Sequence, residues 1–200
     1  LTDAAANGKE ILFVSTKLQV TKLVMEAAKR CNAPYVTRKW IPGLLTNFET
    51  VRRRIKYFRD LKQGREAGDW DKYTKKERLV LTRTLEKLEN AFGGVEQLMK
   101  LPDVVIVFDA VRDTLSLKEA RRLKIPTVGV CDSNADPDLL TYPIPGNDDA
   151  IKSRKFFVEK LSHAVAEGKK MVTERTPEAR PFGRVERPEV AVSSPTPSVV

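Results

Sequence analysis

The sequence predicts an α/β fold in which helices cover both faces of a parallel sheet. Short apolar runs alternate with helical patterns along most of the chain, as they do in βαβ units. One of these runs, at residues 104–108, is almost wholly β-branched, which is typical of a central strand buried on both faces. Two amphipathic helical patterns near the middle of the chain interrupt the alternation and predict an insertion.

The first half of the predicted sheet comes from two apolar runs. Residues 11–15 form the first predicted strand, and residues 35–37 form the second, after a turn signal of Asn, Ala and Pro. Between them a helix is predicted over residues 17–30. Its inner face is expected to carry Leu18, Leu23, Val24 and Ala27.

The second half of the sheet begins at residues 104–108. A helix over residues 116–123 is predicted to follow, and then a strand at 127–131. A short strand around 142–144 precedes a last helix, predicted from residue 151 to 166. The result is a body of alternating strands and helices.

The insertion has apolar residues at spacings of three and four on either side of a polar break at residues 64–71. Two helices with narrow apolar seams predict an antiparallel coiled-coil hairpin that can project from the body. We therefore expect an α/β body at residues 1–46 and 93–172 and a hairpin at 47–92. The seam residues are Leu44, Phe48, Val51, Ile55 and Phe58, then Leu81, Leu85, Leu88 and Phe92.

Composition changes after the last predicted helix. Residues 173–200 contain five prolines and no apolar periodicity. Such a segment cannot bury enough apolar surface to offset its ordering entropy. We predict a disordered, proline-rich tail and assign it no function.

The charge balance favours a polyanionic partner. Lys and Arg number 36 against 27 Asp and Glu, which gives a net charge of +9 and a pI near 9.6. Residues 48–91 hold 13 of these cations against 8 carboxylates, so much of the surplus belongs to the predicted hairpin. No apolar run approaches the ~20 residues that span a bilayer, and the first residues do not resemble a signal peptide. The expectation is an intracellular, soluble protein.

Candidate binding residues are the cations at the end of the second strand and along the first hairpin helix. Three consecutive arginines spread over about 200° of a helix and suit a groove or crevice. The alternative is a merely solvated face. Trp40, beside two of the cations, either stacks on a base or anchors the base of the hairpin in the core, and we favour the core. The candidates are Arg38, Lys39, Arg52, Arg53, Arg54, Lys56, Arg59 and Lys62.

An acidic, proline-rich loop follows the strand at 127–131. Because Asp109 and Asp132 both end parallel strands, they belong at the carboxyl edge of the sheet, where open α/β sheets bind ligands. A Mg²⁺-dependent hydrolase using Asp109, Asp132 and Asp138 is therefore one alternative. The chain lacks the glycine-rich phosphate loops and the nucleophile-elbow motif that such chemistry commonly uses.

We favour a structural role for this loop, in which Asp and Asn cap turns and helix starts, prolines stiffen the chain and glycine permits a sharp bend. No catalytic residue, metal or cofactor is assigned. Cys31, Cys131 and the one histidine, His163, show no zinc or disulfide spacing. The loop residues concerned are Asp132, Asn134, Asp136, Pro137, Asp138, Pro143, Pro145, Gly146, Asn147, Asp148 and Asp149.

Several of these runs match one known family in order and spacing. They span roughly residues 11 to 167, and the acidic loop is the most specific of them. The chain resembles the bacterial-type family of small-subunit ribosomal protein S2. The matching runs are residues 39–47, 79–89, 93–94, 101–103, 119–126 and 126–153.

The resemblance implies a flavodoxin-like three-layer α/β/α body with a protruding coiled-coil hairpin, placed between the head and body of the small subunit. It implies contacts with ribosomal RNA, with neighbouring small-subunit proteins and, in many bacteria, with the mRNA-binding ribosomal protein S1. It implies no enzymatic role, cofactor, small-molecule substrate or membrane. The protein is then expected on cytoplasmic ribosomes, with an organellar ribosome left open.

Three departures from the family pattern stand out. Pro42 and Gly43 replace two adjacent glycines, which puts the turn geometry there in question. The family's basic, aromatic start and first helix are missing before Leu1, so the sequence is expected to be truncated at that end. The tail after residue 172 matches nothing in the family. A repurposed family member that binds proteins through its hairpin is a further alternative.

Overall fold

The computed structural model describes residues 1–175 of the chain, and side chains as far as residue 172. Five parallel strands form one sheet in the order β2-β1-β3-β4-β5, the flavodoxin-like order, whose direction reverses between β1 and β3. The predicted α/β fold with a parallel sheet is confirmed. The strands are β1 Ile11–Val14, β2 Tyr35–Val36, β3 Val104–Val107, β4 Thr127–Cys131 and β5 Tyr142–Pro145.

Two apolar clusters cover the two faces of the sheet, because successive side chains of a strand point to opposite faces. Phe13 and Ile106, which are paired in the register of β1 and β3, pack against helices on one face. Leu12 and Val105 are paired in the same way and belong to the cluster on the other face. The structure therefore has three layers, helix on sheet on helix.

The first helical layer consists of α1 Thr2–Ala6, α2 Thr21–Arg30 and α6 Ile151–Arg175. Both α1 and α2 contact α6. The short α1 was not predicted from the sequence. Helix α6 runs to Arg175, so it includes the first three residues of the segment predicted as a tail. The rest of that segment lies outside the described residues.

The predicted start of the helix after β1 is wrong. Residues 17–20 form a turn, in which the Val20 N–H bonds to the Lys17 carbonyl, and the helix begins only at Thr21. Leu18, expected on the inner face, is 80% exposed, whereas Val24 and Ala27 are buried as predicted. The turn directs Lys17 toward the carboxyl edge of the sheet, as described below.

The second layer contains α5 Thr114–Arg122 and a helix pair, α3 Phe48–Glu66 and α4 Lys75–Phe92. A short 3₁₀ turn, Asp69–Lys72, joins the pair, and Thr74 with Glu77 forms a capping box at the start of α4. The helices contact each other, and their buried side chains join the cluster that contains Leu12. Coiled-coil geometry, projection of the pair and the domain boundaries stay predictions.

None of the helices within the described part of the chain combines the length and apolarity needed to cross a bilayer.

Candidate nucleic-acid interface

The carboxyl edge of the sheet, where a ligand site is expected, is occupied by an internal ion-pair cluster. Lys17 Nζ lies 3.3 Å from Asp109 Oδ2, 3.3 Å from Asp148 Oδ1 and 2.7 Å from Asp149 Oδ1. Asp109 and Asp148 are buried, whereas Asp149 is exposed. Lys17 follows β1 and Asp109 follows β3, so the ammonium group sits at the point where the strand order reverses. It binds the carboxylates that a cation at this edge of the sheet would need.

Burial and the neighbouring charges shift the pKa values of Lys17, Asp148 and Asp149 in this cluster. Burial alone would lower the pKa of Lys17, but hydrogen bonds and attraction from the three aspartates outweigh it and raise that pKa. Burial and repulsion by Asp109 raise the pKa of Asp148, in spite of Lys17. The hydrogen bond from Lys17 lowers the pKa of Asp149. The cluster is held together by the lysine.

A further buried carboxylate lies beside the cluster. Asp113 accepts hydrogen bonds from Thr16 N at 3.2 Å and from Thr16 Oγ1 at 2.7 Å. Burial raises the pKa of Asp113, and repulsion by Asp109 adds to the effect. The loop after β1 is therefore attached to the loop after β3 by two adjacent polar contacts, through Thr16 and through Lys17.

Two of the three aspartates of the hydrolase alternative are engaged in other contacts, and the third is exposed. Asp109 binds Lys17, and Asp132 accepts the N–H groups of Ser133 and Asp148. Asp138 is exposed on a 3₁₀ turn. Within residues 1–172 no group of three or more His, Cys, Asp or Glu side chains is arranged to hold a metal ion.

The acidic loop uses its polar side chains as caps, although not always those predicted. Asp136 Oδ1 accepts the Asp138 N–H, and Asn147 Oδ1 accepts the N–H groups of Asp149 and Ala150 before α6. The side chains of Asp148 and Asp149 bind Lys17 instead of capping this helix. Asn134 is exposed.

Of the prolines and the glycine of this loop, one proline acts as predicted and the other residues act differently. Pro143 and Pro145 lie in β5, an edge strand, where a missing N–H is tolerated. Pro137 starts the 3₁₀ turn, as a stiffener would. Gly146 does not have the positive φ of a sharp bend; a Cβ there would collide with the ring of Phe157. The glycine therefore permits close packing of α6.

Glu119 of α5, which sequence reasoning missed, fastens the segment that precedes the basic helix. Its Oε1 accepts from Trp40 Nε1 at 2.9 Å and from Gly43 N at 2.8 Å. Its Oε2 accepts from Leu45 N at 3.0 Å and from both N and Oγ1 of Thr46. These bonds outweigh burial and lower the pKa of Glu119. The position of Glu119 on the buried face of a predicted helix is the sequence signal that could have identified it.

Trp40 is buried beside Leu44 and Leu45, which confirms its interpretation as a core anchor and removes it as a stacking platform. The turn that follows accommodates the departure from two glycines. Only the second of these positions, Gly43, has a positive φ, of 84°, which a proline at position 42 does not obstruct. Segment 40–46 is thus a rigid connection between β2 and α3.

The structure divides the candidate cations into free and engaged ones. Lys62 Nζ bonds Glu96 Oε2 at 3.0 Å and lies over the Phe58 ring, and half-buried Arg59 contacts Met99. These two are tied to the protein itself. The other candidates are exposed; they are Arg38, Lys39, Arg52, Arg53, Arg54 and Lys56.

The exposed candidates occupy two places. Arg38 and Lys39 line a cleft of about 550 Å³ between α2, β2 and the base of the helix pair, together with Lys62. Glu89 and Glu96 also line it, so the cleft has both signs of charge. The arginines of α3 lie outside this lining. Two of them, Arg52 and Arg53, reach Glu49 only at 3.9 Å, as weak surface pairs.

Comparison with known proteins relates the chain to a single family. A sequence model of the family described as Ribosomal protein S2 matches residues 1–168. A protein of Sulfurimonas denitrificans named Small ribosomal subunit protein uS2 is 49% identical over 167 residues, which are 84% of this chain and 64% of that protein. The protein of the same name from Nitratiruptor is 46% identical over 169 residues, 84% of this chain and 63% of that protein. The one from Wolinella succinogenes is 42% identical over 192 residues, 94% and 71% of the two chains.

Proposed function

The chain belongs to the ribosomal protein S2 family, and on that premise we propose that it is a structural constituent of the small ribosomal subunit that binds ribosomal RNA and neighbouring ribosomal proteins. The observation that carries the proposal is the family match over residues 1–168. The chain spans a little under two thirds of the length of the first two relatives above. Its role in the whole subunit is for that reason a proposal.

The exposed cations support binding of RNA through its phosphates. Arg38 and Lys39 directly precede Trp40, and the burial of that indole holds the two cations at a fixed place on the surface. Arg54 and Lys56 extend from α3, which starts where the rigid segment 40–46 ends. Fixed cations of this kind position a protein on an RNA backbone without reading bases, since duplex RNA presents mainly phosphates and a shallow minor groove.

The proposed partners include small-subunit ribosomal RNA, adjacent small-subunit proteins and, as the resemblance implies, ribosomal protein S1. The coiled-coil hairpin at residues 47–92 is proposed as the extended part of this binding surface. We accordingly propose an association with cytoplasmic ribosomes, with an organellar ribosome as the alternative. A non-enzymatic role agrees with the contacts at the carboxyl edge of the sheet, where the Lys17 ammonium group already binds the carboxylates of Asp109 and Asp148.

The hydrolase alternative loses its support at the same point. A Mg²⁺ ion bound by Asp109 would have to displace Lys17, at 3.3 Å, from a buried carboxylate. The alternative of a repurposed family member that binds proteins through its hairpin predicts that the protein sediments apart from small subunits. Sedimentation and Mg²⁺ binding, measured together, therefore separate the three functions.

The test is co-sedimentation of the tagged chain with small subunits on sucrose gradients at low salt, together with Mg²⁺ titration of the isolated protein by calorimetry. We expect the protein in the small-subunit fraction and no heat of site-specific Mg²⁺ binding. A protein that stays at the top of the gradient would contradict the ribosomal role. Stoichiometric Mg²⁺ binding that is lost in Asp109→Asn would restore the hydrolase alternative.

A further inference from the structure

Helix α5 has a basic face that none of the binding residues considered so far includes. Lys118, Arg121 and Arg122 fall within about 100° of the helix circumference at 100° per residue. All three are exposed, and so is Lys124 just after the helix. The opposite face of α5 is buried through Leu117 and Ala120. We propose that this face, defined as Lys118, Arg121, Arg122 and Lys124, is a second contact surface for ribosomal RNA; the inference rests on the proposed function.

The charge of the α5 basic face is not neutralised by the helix that carries it. The carboxylate of α5, Glu119, turns inward to segment 40–46. Among the described residues, the side chains of these four cations form no hydrogen bond and no ion pair. Exposed Asp138 lines a shallow recess of about 240 Å³ together with Arg121 and Lys124, and it is the carboxylate that faces them there. A net positive surface results.

The α5 basic face is rigidly joined to the cations already proposed to bind RNA. Glu119 holds segment 40–46 through Trp40 and Leu45. This segment directly follows Lys39 and leads to the start of α3. Helices α3 and α5 both belong to the layer built on Leu12 and Val105. The two basic surfaces are therefore parts of one rigid layer, so that both can be engaged without an additional cost of ordering the chain.

The choice of RNA over an acidic protein follows from the proposed function, and the chemistry of the face agrees with it. Two of the four cations are arginines, whose planar guanidinium groups bind phosphate, as they also bind carboxylate, in a bidentate geometry. Lys118 and Arg122 are four residues apart, or about 6 Å along the axis, so the cations form a compact row suited to a phosphate backbone. Leu115 lies beside them and is 45% exposed, but a single exposed leucine is ordinary on a protein surface.

The test uses a charge-neutralised variant of the whole chain, Lys118→Gln, Arg121→Gln and Arg122→Gln. The matched control is Lys22→Gln, Lys152→Gln and Lys170→Gln, three exposed cations of the opposite helical layer. Each protein is titrated against protein-free small-subunit ribosomal RNA at several salt concentrations. We expect the α5 variant to lower the slope of log affinity against log salt by about 2 to 3, since each lost phosphate contact removes 0.7–0.9. The control should leave it unchanged.

The outcomes separate this inference from the proposed function. If the unmodified chain does not bind the RNA, the proposed function fails and the inference with it. If the unmodified chain binds and the α5 variant keeps both affinity and slope, the inference alone is overturned. An unchanged RNA titration with reduced incorporation into subunits would assign the face to a protein partner and would equally overturn it. Circular dichroism and thermal unfolding of each variant confirm that it is folded.

Discussion

The Glu119 carboxylate accepts the indole N–H of Trp40 at 2.9 Å although the two residues lie 79 positions apart. Both side chains are buried, one on α5 and the other just after β2. The same carboxylate also receives backbone N–H groups from Gly43, Leu45 and Thr46. One charged group therefore satisfies the polar backbone of a turn that has no regular secondary structure of its own.

Replacing Glu119 by Gln is expected to destabilise the fold by about 2–4 kcal/mol. A carboxylate offers acceptors on both oxygens, whereas an amide turns its NH₂ toward donors on one side and leaves them unpaired. The measurement is urea unfolding at neutral pH. Glu86→Gln, an exposed change on α4, serves as the control and should cost less than about 0.5 kcal/mol.

The pH dependence of this difference has a definite sign. Because the folded protein lowers the pKa of Glu119, the stability it contributes is present above its ordinary pKa and is lost as the pH falls through the folded pKa. The gap in unfolding free energy between the two proteins should therefore shrink when the pH is lowered below about 4.3. A gap that is constant from pH 7 to pH 3 would show that the charge of Glu119 does not contribute.

Alternation of apolar runs was sufficient to predict the fold because the central strands β1, β3 and β4 are buried on both faces and leave a continuous β-branched or apolar signal. β3, whose four residues are all buried, is the clearest case. Turns after strands were harder to predict. Leu18 continues a helical spacing in the sequence, yet it is exposed because Lys17 is drawn to three aspartates that lie more than 90 residues away along the chain. No local pattern contains that attraction.

The candidate cations also show that local spacing predicts burial along a helix but not contacts between distant segments. Sequence spacing predicted correctly that Val51 and Ile55 belong to the apolar seam of a helix; both are buried, and the three arginines between them are exposed. Spacing did not predict that Lys62 is paired with Glu96, because the partner belongs to a different element. Ion pairs between distant segments depend on tertiary structure, which a single sequence does not display.

Lys17→Met is expected to cost about 3 kcal/mol at neutral pH, because it leaves the buried carboxylates of Asp109 and Asp148 without their cation. Burial already raises the pKa of Asp148 in spite of Lys17, and removing the lysine should leave that pKa still further above its ordinary value. A group of this kind contributes stability below its ordinary pKa and loses that contribution as the pH rises through the folded pKa.

The variant should consequently be closest to the parent in stability near pH 4 and furthest from it near pH 8. Urea unfolding at both pH values measures this, with Lys22→Met, an exposed lysine of α2, as the control. A deficit that grows on acidification would contradict the assigned role of Lys17.

Gly168→Ala is expected to detach α1 from α6. A Cβ at this position would overlap the Thr2 carbonyl oxygen and the Ala6 backbone nitrogen, neither of which can move without the helix. Gly64→Ala on α3 is the matched control, because the nearest atom to its Cβ is Trp70 Nε1 at an ordinary 3.6 Å.

The control should be neutral or more stable by up to about 1 kcal/mol, since alanine favours the helix over glycine. Thermal unfolding and hydrogen exchange of residues 2–6 provide the measurements. Equal behaviour of the two variants would mean that the close approach of α1 to α6 is not part of the stable fold.

Replacing Arg52, Arg53 and Arg54 by Ala tests the part of the proposed RNA surface that lies on α3. The three guanidinium groups are exposed, and their pairs with Glu49 are long, so the free energy of unfolding should change by less than about 0.5 kcal/mol. RNA binding should respond strongly, with incorporation into small subunits reduced and the salt slope of RNA binding lowered by about 2 to 3. Lys22→Ala, Lys152→Ala and Lys170→Ala, on the opposite layer, should leave incorporation and slope as they are. If the arginine variant remains folded and also keeps the incorporation and the salt slope of the unmodified chain, these arginines do not contact RNA.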